Sequence, residues 1–153
     1  PHDAIREGIQ MFDGVPHRLE MVRRLDGVQY FNDSIATAPE RALAALAAFD
    51  EPIILLAGGR DKEMVWEEWA RQVAKRVKHV VLFGELAPAL ARRLPAGTPL
   101  TRVDTLAEAV AVAQAEAAAG DVVLLSPGGT SFDSYTDFVE RGEHFRLLVK
   151  ELE

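Results

Sequence analysis

Apolar positions along the chain change period several times, and each change marks an element. Ala4, Ile5, Ile9 and Phe12 fall at helical spacing, so a short helix is expected at the start. From Pro16 to Asn32 the pattern turns β-like. Two runs, Leu19 to Leu25 and Val28 to Phe31, flank Asp26-Gly27, a dipeptide that tolerates positive φ in a two-residue turn, and a hairpin is predicted. Pro39 suits a first helical turn, and Leu43, Leu46, Ala47 and Phe49 mark one face of a helix running to about Asp50.

Beyond that point short apolar runs alternate with helical patterns. Strand Ile53 to Ala57 leads through Gly58-Gly59-Arg60-Asp61-Lys62 to a helix near Val65 to Arg76, with Trp66, Trp69 and Val73 spaced to face a core. Strand His79 to Phe83, a helix from about Leu86 to Arg93 and a short strand Leu100 to Val103 follow. Thr105-Leu106-Ala107-Glu108 has the pattern of a capping box and opens an Ala-rich helix to about Ala119, closed by Gly120. Asp121 to Leu125, apolar after its first residue, reads as a central strand buried on both faces and runs into Ser126-Pro127-Gly128-Gly129-Thr130-Ser131. A last helix is predicted from about Asp137 to Leu152. The alternation implies an α/β, Rossmann-like fold: a mostly parallel sheet with helices on both faces and the antiparallel hairpin at one edge. Ligands of such sheets bind beyond the carboxyl ends of the strands, so chemistry is expected in the loops starting at Asn32, Gly58 and Ser126.

Composition narrows the chemistry. The 153 residues, 48% hydrophobic and 27% charged, are enough for one domain with a single core, residues 1–153. A net charge of −7, from 17 Lys plus Arg against 24 Asp plus Glu, argues against a nucleic acid partner. The absence of Cys excludes a disulfide framework, a thiolate metal site and a cysteine nucleophile, and four His at 2, 17, 79 and 144 make no metal-ligand spacing. No apolar run approaches the roughly 20 residues of a membrane helix, and no basic-then-apolar leader opens the chain, so a cytoplasmic protein without a membrane partner is expected. A chain that opens in mid-helix pattern also reads as part of something longer.

Each polar loop has a plain structural reading beside a functional one. Gly58 to Lys62 sets two glycines and a cation after a buried strand, suited to an anion or simply a tight turn with a surface Lys. Ser126 to Ser131 offers hydroxyls and glycines for an oxyanion, or an ordinary strand-to-helix turn; the pattern G-x-S-x-G of a serine nucleophile is absent. No G-x-x-x-x-G-K-[ST] or G-x-G-x-x-G is present either. Asn32-Asp33-Ser34 is either an Asx-type turn or a place where Asp33 accepts hydrogen bonds from ribose hydroxyls. Glu140-Arg141-Gly142-Glu143 reads as a solvated charged face, and His17-Arg18 as a polar clamp or the start of a strand.

Taken in order, these pieces resemble the C-terminal domain of the Mur ligases, most closely the branch that adds D-glutamate. The residues that carry the resemblance are Gly14-Val15-Pro16-His17-Arg18-Leu19-Glu20, Asn32-Asp33-Ser34 with Ala36-Thr37, and Ala57-Gly58-Gly59-Arg60-Asp61-Lys62. Leu125-Ser126-Pro127 and Ser131-Phe132-Asp133, leading to Phe138 and Glu140-Arg141-Gly142, complete it, so that it spans nearly the whole chain. It implies an ATP-dependent amide ligase of peptidoglycan synthesis. In this family ATP activates the carboxylate of UDP-MurNAc-L-Ala as an acyl phosphate, which the amine of D-glutamate attacks. The central ATPase domain, which largely holds ATP and Mg²⁺, and the N-terminal UDP-binding domain would lie outside this chain. Residues 1–15 would link to them, and the domain, inactive alone, would act by closing on the rest of a monomeric enzyme. By the resemblance, Thr37, Lys62, Ser131, Phe132 and Phe138 hold D-glutamate, while Arg18, Asp33 and His17 meet ATP; no metal ligand or catalytic residue is expected here. Two positions depart from the common pattern: Ile35 stands where a Lys is usual, leaving Arg60 or another cation to replace it, and Gly128-Gly129-Thr130 replaces an Ala-Cys-Ala stretch. The alternatives are another Mur ligase, a folylpolyglutamate synthase, or a free-standing small-molecule-binding module.

Overall fold

The computed structural model describes residues 14–153, so the helix expected around Ala4 to Phe12 lies outside the described residues. Strands β1 (Glu20–Leu25) and β2 (Val28–Asn32) form the predicted hairpin. Asp26 and Gly27 take φ of 52° and 79°, the paired positive values that a tight turn between twisted strands requires. The remaining elements are α1 (Pro39–Leu46), β3 (Ile53–Gly58), α2 (Glu67–Arg76), β4 (His79–Phe83), α3 (Ala87–Arg93), β5 (Leu100–Arg102), α4 (Leu106–Glu116), β6 (Val122–Gly128) and α5 (Phe138–Lys150).

The six strands lie in the order β1-β2-β6-β3-β4-β5, parallel except for the β1–β2 pair. This is the mostly parallel sheet with an edge hairpin that the alternation predicts. Every residue of β3 and β6 is buried, because helices cover both faces. The strand period of two then divides the apolar side chains between two cores. Ile53, Leu55, Ala57, Val122 and Leu124 point toward α1, α2 and α3, where Trp66, Trp69, Val73 and Leu90 meet them. Ile54, Leu56, Val123 and Leu125 point the other way, onto Ala109 and Val110 of α4 and Phe145 and Val149 of α5.

Local signals set most boundaries. Thr105 accepts from the Glu108 N–H at 3.2 Å, the N-cap half of the expected capping box, while the Glu108 carboxylate takes the Thr105 hydroxyl at 3.0 Å, and Asp137 caps α5 through Glu140 N–H. Three expectations change. Helix α1 stops at Leu46, with Ala47 exposed, because Ala48 and Phe49 form a turn whose N–H groups bond Ala45 and Leu46 carbonyls. Helix α4 ends at Glu116, and Gly120 closes a later turn at φ 97°. Ser126-Pro127-Gly128 belongs to buried strand β6, so the loop begins at Gly129.

Candidate functional site

Because β2, β6 and β3 are parallel neighbours, their carboxyl ends bring Asn32, Gly128 and Gly58 to one edge of the sheet. The loop after β2 is held by its own side chains. Asn32 accepts from the Ser34 N–H at 3.1 Å, forming the anticipated Asx turn, and its amide donates to His17 Nδ1 at 2.9 Å and Glu20 Oε1 at 3.0 Å. Asp33, only 4% exposed, accepts from the Leu19 N–H at 3.1 Å and from Ser126 Oγ at 2.8 Å. Burial pushes its carboxyl up to about 6, against the opposing pull of those two donors and of Arg18 and Arg41.

Helix α5 locks this loop through residues that look solvated in sequence. Arg141 is fully buried: Nε donates to Ser34 Oγ at 3.0 Å, and its terminal nitrogens to the Ser34 and Gly129 carbonyls at 2.8 and 3.1 Å. Ser34 in turn donates from Oγ to the Phe138 carbonyl at 2.7 Å. One planar guanidinium therefore joins the loops after β2 and β6 to the last helix. Burial lowers its pKa to about 10, with Asp133 pulling the other way, so it is charged at neutral pH. Gly142 lets His17 press against the helix; a Cβ there would stand 2.1 Å from His17 Nδ1. His17 is buried, faces the Phe138 ring edge-on at 6.2 Å, and has Nε2 at 3.6 Å from Glu143.

The loops after β3 and β6 are stitched together across the sheet end. The N–H of Arg60 donates to the Thr130 carbonyl and the N–H of Thr130 to the Arg60 carbonyl, both at 2.9 Å. Gly59, at φ 102°, permits this approach, since a Cβ there would lie 2.1 Å from the Thr130 oxygen. Asp61 accepts from Met64 N–H at 3.0 Å and Trp66 Nε1 at 3.2 Å, fixing the turn against the core. This leaves the exposed Lys62 ammonium 5.4 Å from the centre of the Phe132 ring, which is 51% exposed. Ser131 is buried beside it, and Asp133 accepts from the Glu85 N–H at 3.2 Å. The N–H groups of Gly128 and Thr130 are bonded to carbonyls of Ala36 and Arg60, so those two backbone donors are not open to an anion as the glycine-rich sequence had suggested. Arg60 Nε pairs with Glu85 at 2.9 Å, both side chains being about half exposed.

The structure thus groups the predicted residues in two places. Lys62 and Phe132 meet, with Ser131 adjoining; Phe138 sits instead against His17 and Ser34. Thr37 is half-buried just before α1, its hydroxyl without a partner among the described residues. Arg18 and Asp33 line a separate cleft of about 270 Å³ together with Leu19, Ile35, Ala36 and Arg41. That volume is below the roughly 300–1,000 Å³ of a pocket enclosing a whole small ligand, and suits part of one. Two residues escape sequence reasoning. Arg41 looks like any exposed first-turn residue, and only the position of α1 puts it on the cleft. Arg141 had one signal, the adjacent Gly142 inside a helix, where glycine is unfavourable unless something approaches closely. Among the described residues no group of three or more His, Asp or Glu could hold a metal ion.

Fold and site together define an α/β domain that presents cationic and hydroxyl groups at the carboxyl edge of a parallel sheet. Residues 17–129 match the family model described as Mur ligase, glutamate ligase domain, and the chain belongs to that family. It is 48% identical, over 99% of its length and 34% of the relative's, to UDP-N-acetylmuramoylalanine–D-glutamate ligase of Symbiobacterium thermophilum. It is 50% identical to the ligase of the same name from Roseiflexus sp., over 97% of this chain and 33% of that protein. The chain therefore spans about a third of the length of the curated relatives it matches. The crystal structure of MurF ligase from Thermotoga maritima in complex with ADP shares the fold, with a TM-score of 0.62 at 20% identity over 92% of this chain and 33% of that one.

Proposed function

We propose that the chain is the C-terminal domain of an ATP-dependent ligase that joins D-glutamate to UDP-MurNAc-L-Ala in peptidoglycan synthesis. The observation that carries this is the pairing of the Lys62 ammonium with the Phe132 ring at the stitched ends of β3 and β6, in a chain about half identical to D-glutamate ligases. D-Glutamate brings two carboxylates and one nucleophilic amine. Lys62 forms a charge-assisted pair with one carboxylate, and Ser131 and Thr37 donate to it or its neighbour. The region of Phe132 shapes the pocket at Lys62, with Phe138 set against His17 and Ser34, and fixing both ends of the amino acid leaves its amine to approach a carbonyl carbon. Positioning of this kind contributes on the order of 7–11 kcal/mol to bimolecular reactions.

ATP, when bound, supplies activation of the acceptor carboxyl. Asp33 and Arg18 are fitted to meet its ribose and phosphates, since both line the cleft of about 270 Å³, whose size suits that portion rather than a whole nucleotide. His17 has its ring nitrogens facing Asn32 and Glu143, so it serves the ATP site by holding the loop after β2 rather than as a direct ligand. The domain does not turn over alone; it closes on a central ATPase domain and a UDP-binding domain of the same monomeric cytoplasmic enzyme.

The test is phosphate release by the full-length protein with ATP, Mg²⁺ and UDP-MurNAc-L-Ala, titrated with D-glutamate, L-glutamate, L-lysine and meso-diaminopimelate. D-Glutamate should give the highest kcat/KM. Preference for another amino acid overturns the substrate assignment, and ATP-dependent ligation by residues 1–153 alone overturns the modular one.

A further inference from the structure

The cleft beside Asp33 contains more positive charge than its one carboxyl balances. Arg18 reaches it from the segment before β1, and Arg41 from the first turn of α1. Neither guanidinium has an ion-pair partner among the described residues, and Asp33 is already engaged by the Leu19 N–H and Ser126 hydroxyl. Ile35 lines the same cleft and brings no charge. Two guanidiniums on one cleft, over a single carboxyl that already holds two donors from the protein, form an electropositive concavity open to solvent.

The geometry points to Arg41 as a phosphate-binding residue of this domain, gripping the diphosphate of an adenine nucleotide alongside Arg18. The inference rests on the reading of this cleft as the nucleotide's. A guanidinium suits the task because its fork of N–H donors matches phosphate oxygens two at a time, and α1 holds its base in place through the Arg41 N–H bond to the Ala38 carbonyl at 3.1 Å. Ile35, as a neighbour on the same cleft wall, is the position from which a second side chain could deliver the same charge.

The experiment uses the full-length protein and calorimetric titration with ADP and Mg²⁺, independent of turnover. Arg41→Gln should weaken ADP binding roughly 10-fold or more, while the unliganded protein melts within a few degrees of wild type, because Arg41 is exposed and the interaction shown for its side chain is its pull on the Asp33 carboxylate. Arg41→Lys should retain part of the affinity, and Ile35→Lys in the Arg41→Gln background should recover most of it by placing an ammonium in the same cleft. Unchanged ADP affinity in Arg41→Gln overturns the assignment, as does a loss that Ile35→Lys fails to recover. Wild-type protein that binds ADP but does not ligate D-glutamate defeats the proposed reaction while Arg41 is still judged by its own titration. Wild-type protein that ligates D-glutamate with Arg41→Gln binding ADP normally defeats Arg41 alone.

Discussion

Asp33→Asn should remove a pH dependence of stability that the wild-type chain carries in buried form. In the folded state the carboxyl sits 4% exposed with its pKa raised from 3.8 to about 6, chiefly by burial. In the unfolded chain it titrates near about 3.9. Between these values the folded state binds more proton than the unfolded one, so this group lowers stability as pH rises from about 4 to about 6. A shift of about two units at about 1.4 kcal/mol each gives on the order of 3 kcal/mol, fully expressed above pH 6. Asparagine keeps an oxygen for the Leu19 N–H and an amide that can donate to Ser126 Oγ, so the hydrogen-bonded shape survives while the charge disappears. The assay is urea unfolding of wild type and variant in steps from pH 4 to pH 7.5. The variant should gain on wild type by up to about 3 kcal/mol across that range, whatever the fixed cost of the substitution. A difference constant to within about 0.5 kcal/mol, or one that shrinks as pH rises, refutes the argument that burial of the charged carboxylate dominates.

Three further outcomes follow from the same geometry. On the proposed reaction, Lys62→Ala in the full-length protein should raise the KM for D-glutamate roughly 10- to 100-fold, the worth of a charge-assisted hydrogen bond, and leave the KM for ATP little changed; steady-state kinetics on both substrates checks it. Gly142→Ala puts a Cβ 2.1 Å from His17 Nδ1, so thermal melting should show a loss of about 1–3 kcal/mol as His17 is displaced, despite the higher helix propensity of alanine. Trp66→Phe should cost about 1 kcal/mol more than Trp69→Phe, because the Trp66 indole N–H donates to Asp61 whereas that of Trp69 has no partner; equal losses in chemical denaturation would contradict this.

Hydrophobic periodicity was sufficient for the architecture because burial on two faces leaves a direct record in β3 and in Val122 to Leu125 of β6, apolar at both parities. Asp26-Gly27 and Thr105 to Glu108 likewise act over a few residues, so the hairpin and the N-cap of α4 were legible. The candidate loops were legible too, since carboxyl ends of parallel strands must converge wherever the strand order places them together.

What the chain alone left undetermined was the direction and company of each polar side chain. Glu140 and Arg141 are neighbouring charged residues, yet helix phase sends Glu140 into solvent and Arg141 into a site where three oxygens surround it. Arg41 and Asp33 lie on different elements, and only the docking of α1 puts them on one cleft. Backbone pattern depends on local stereochemistry and on whether a face is wet or dry, both encoded over a few residues. Charge placement depends on contacts between residues such as Arg60 and Thr130, 70 positions apart in the sequence, and that pairing exists only once the sheet has closed.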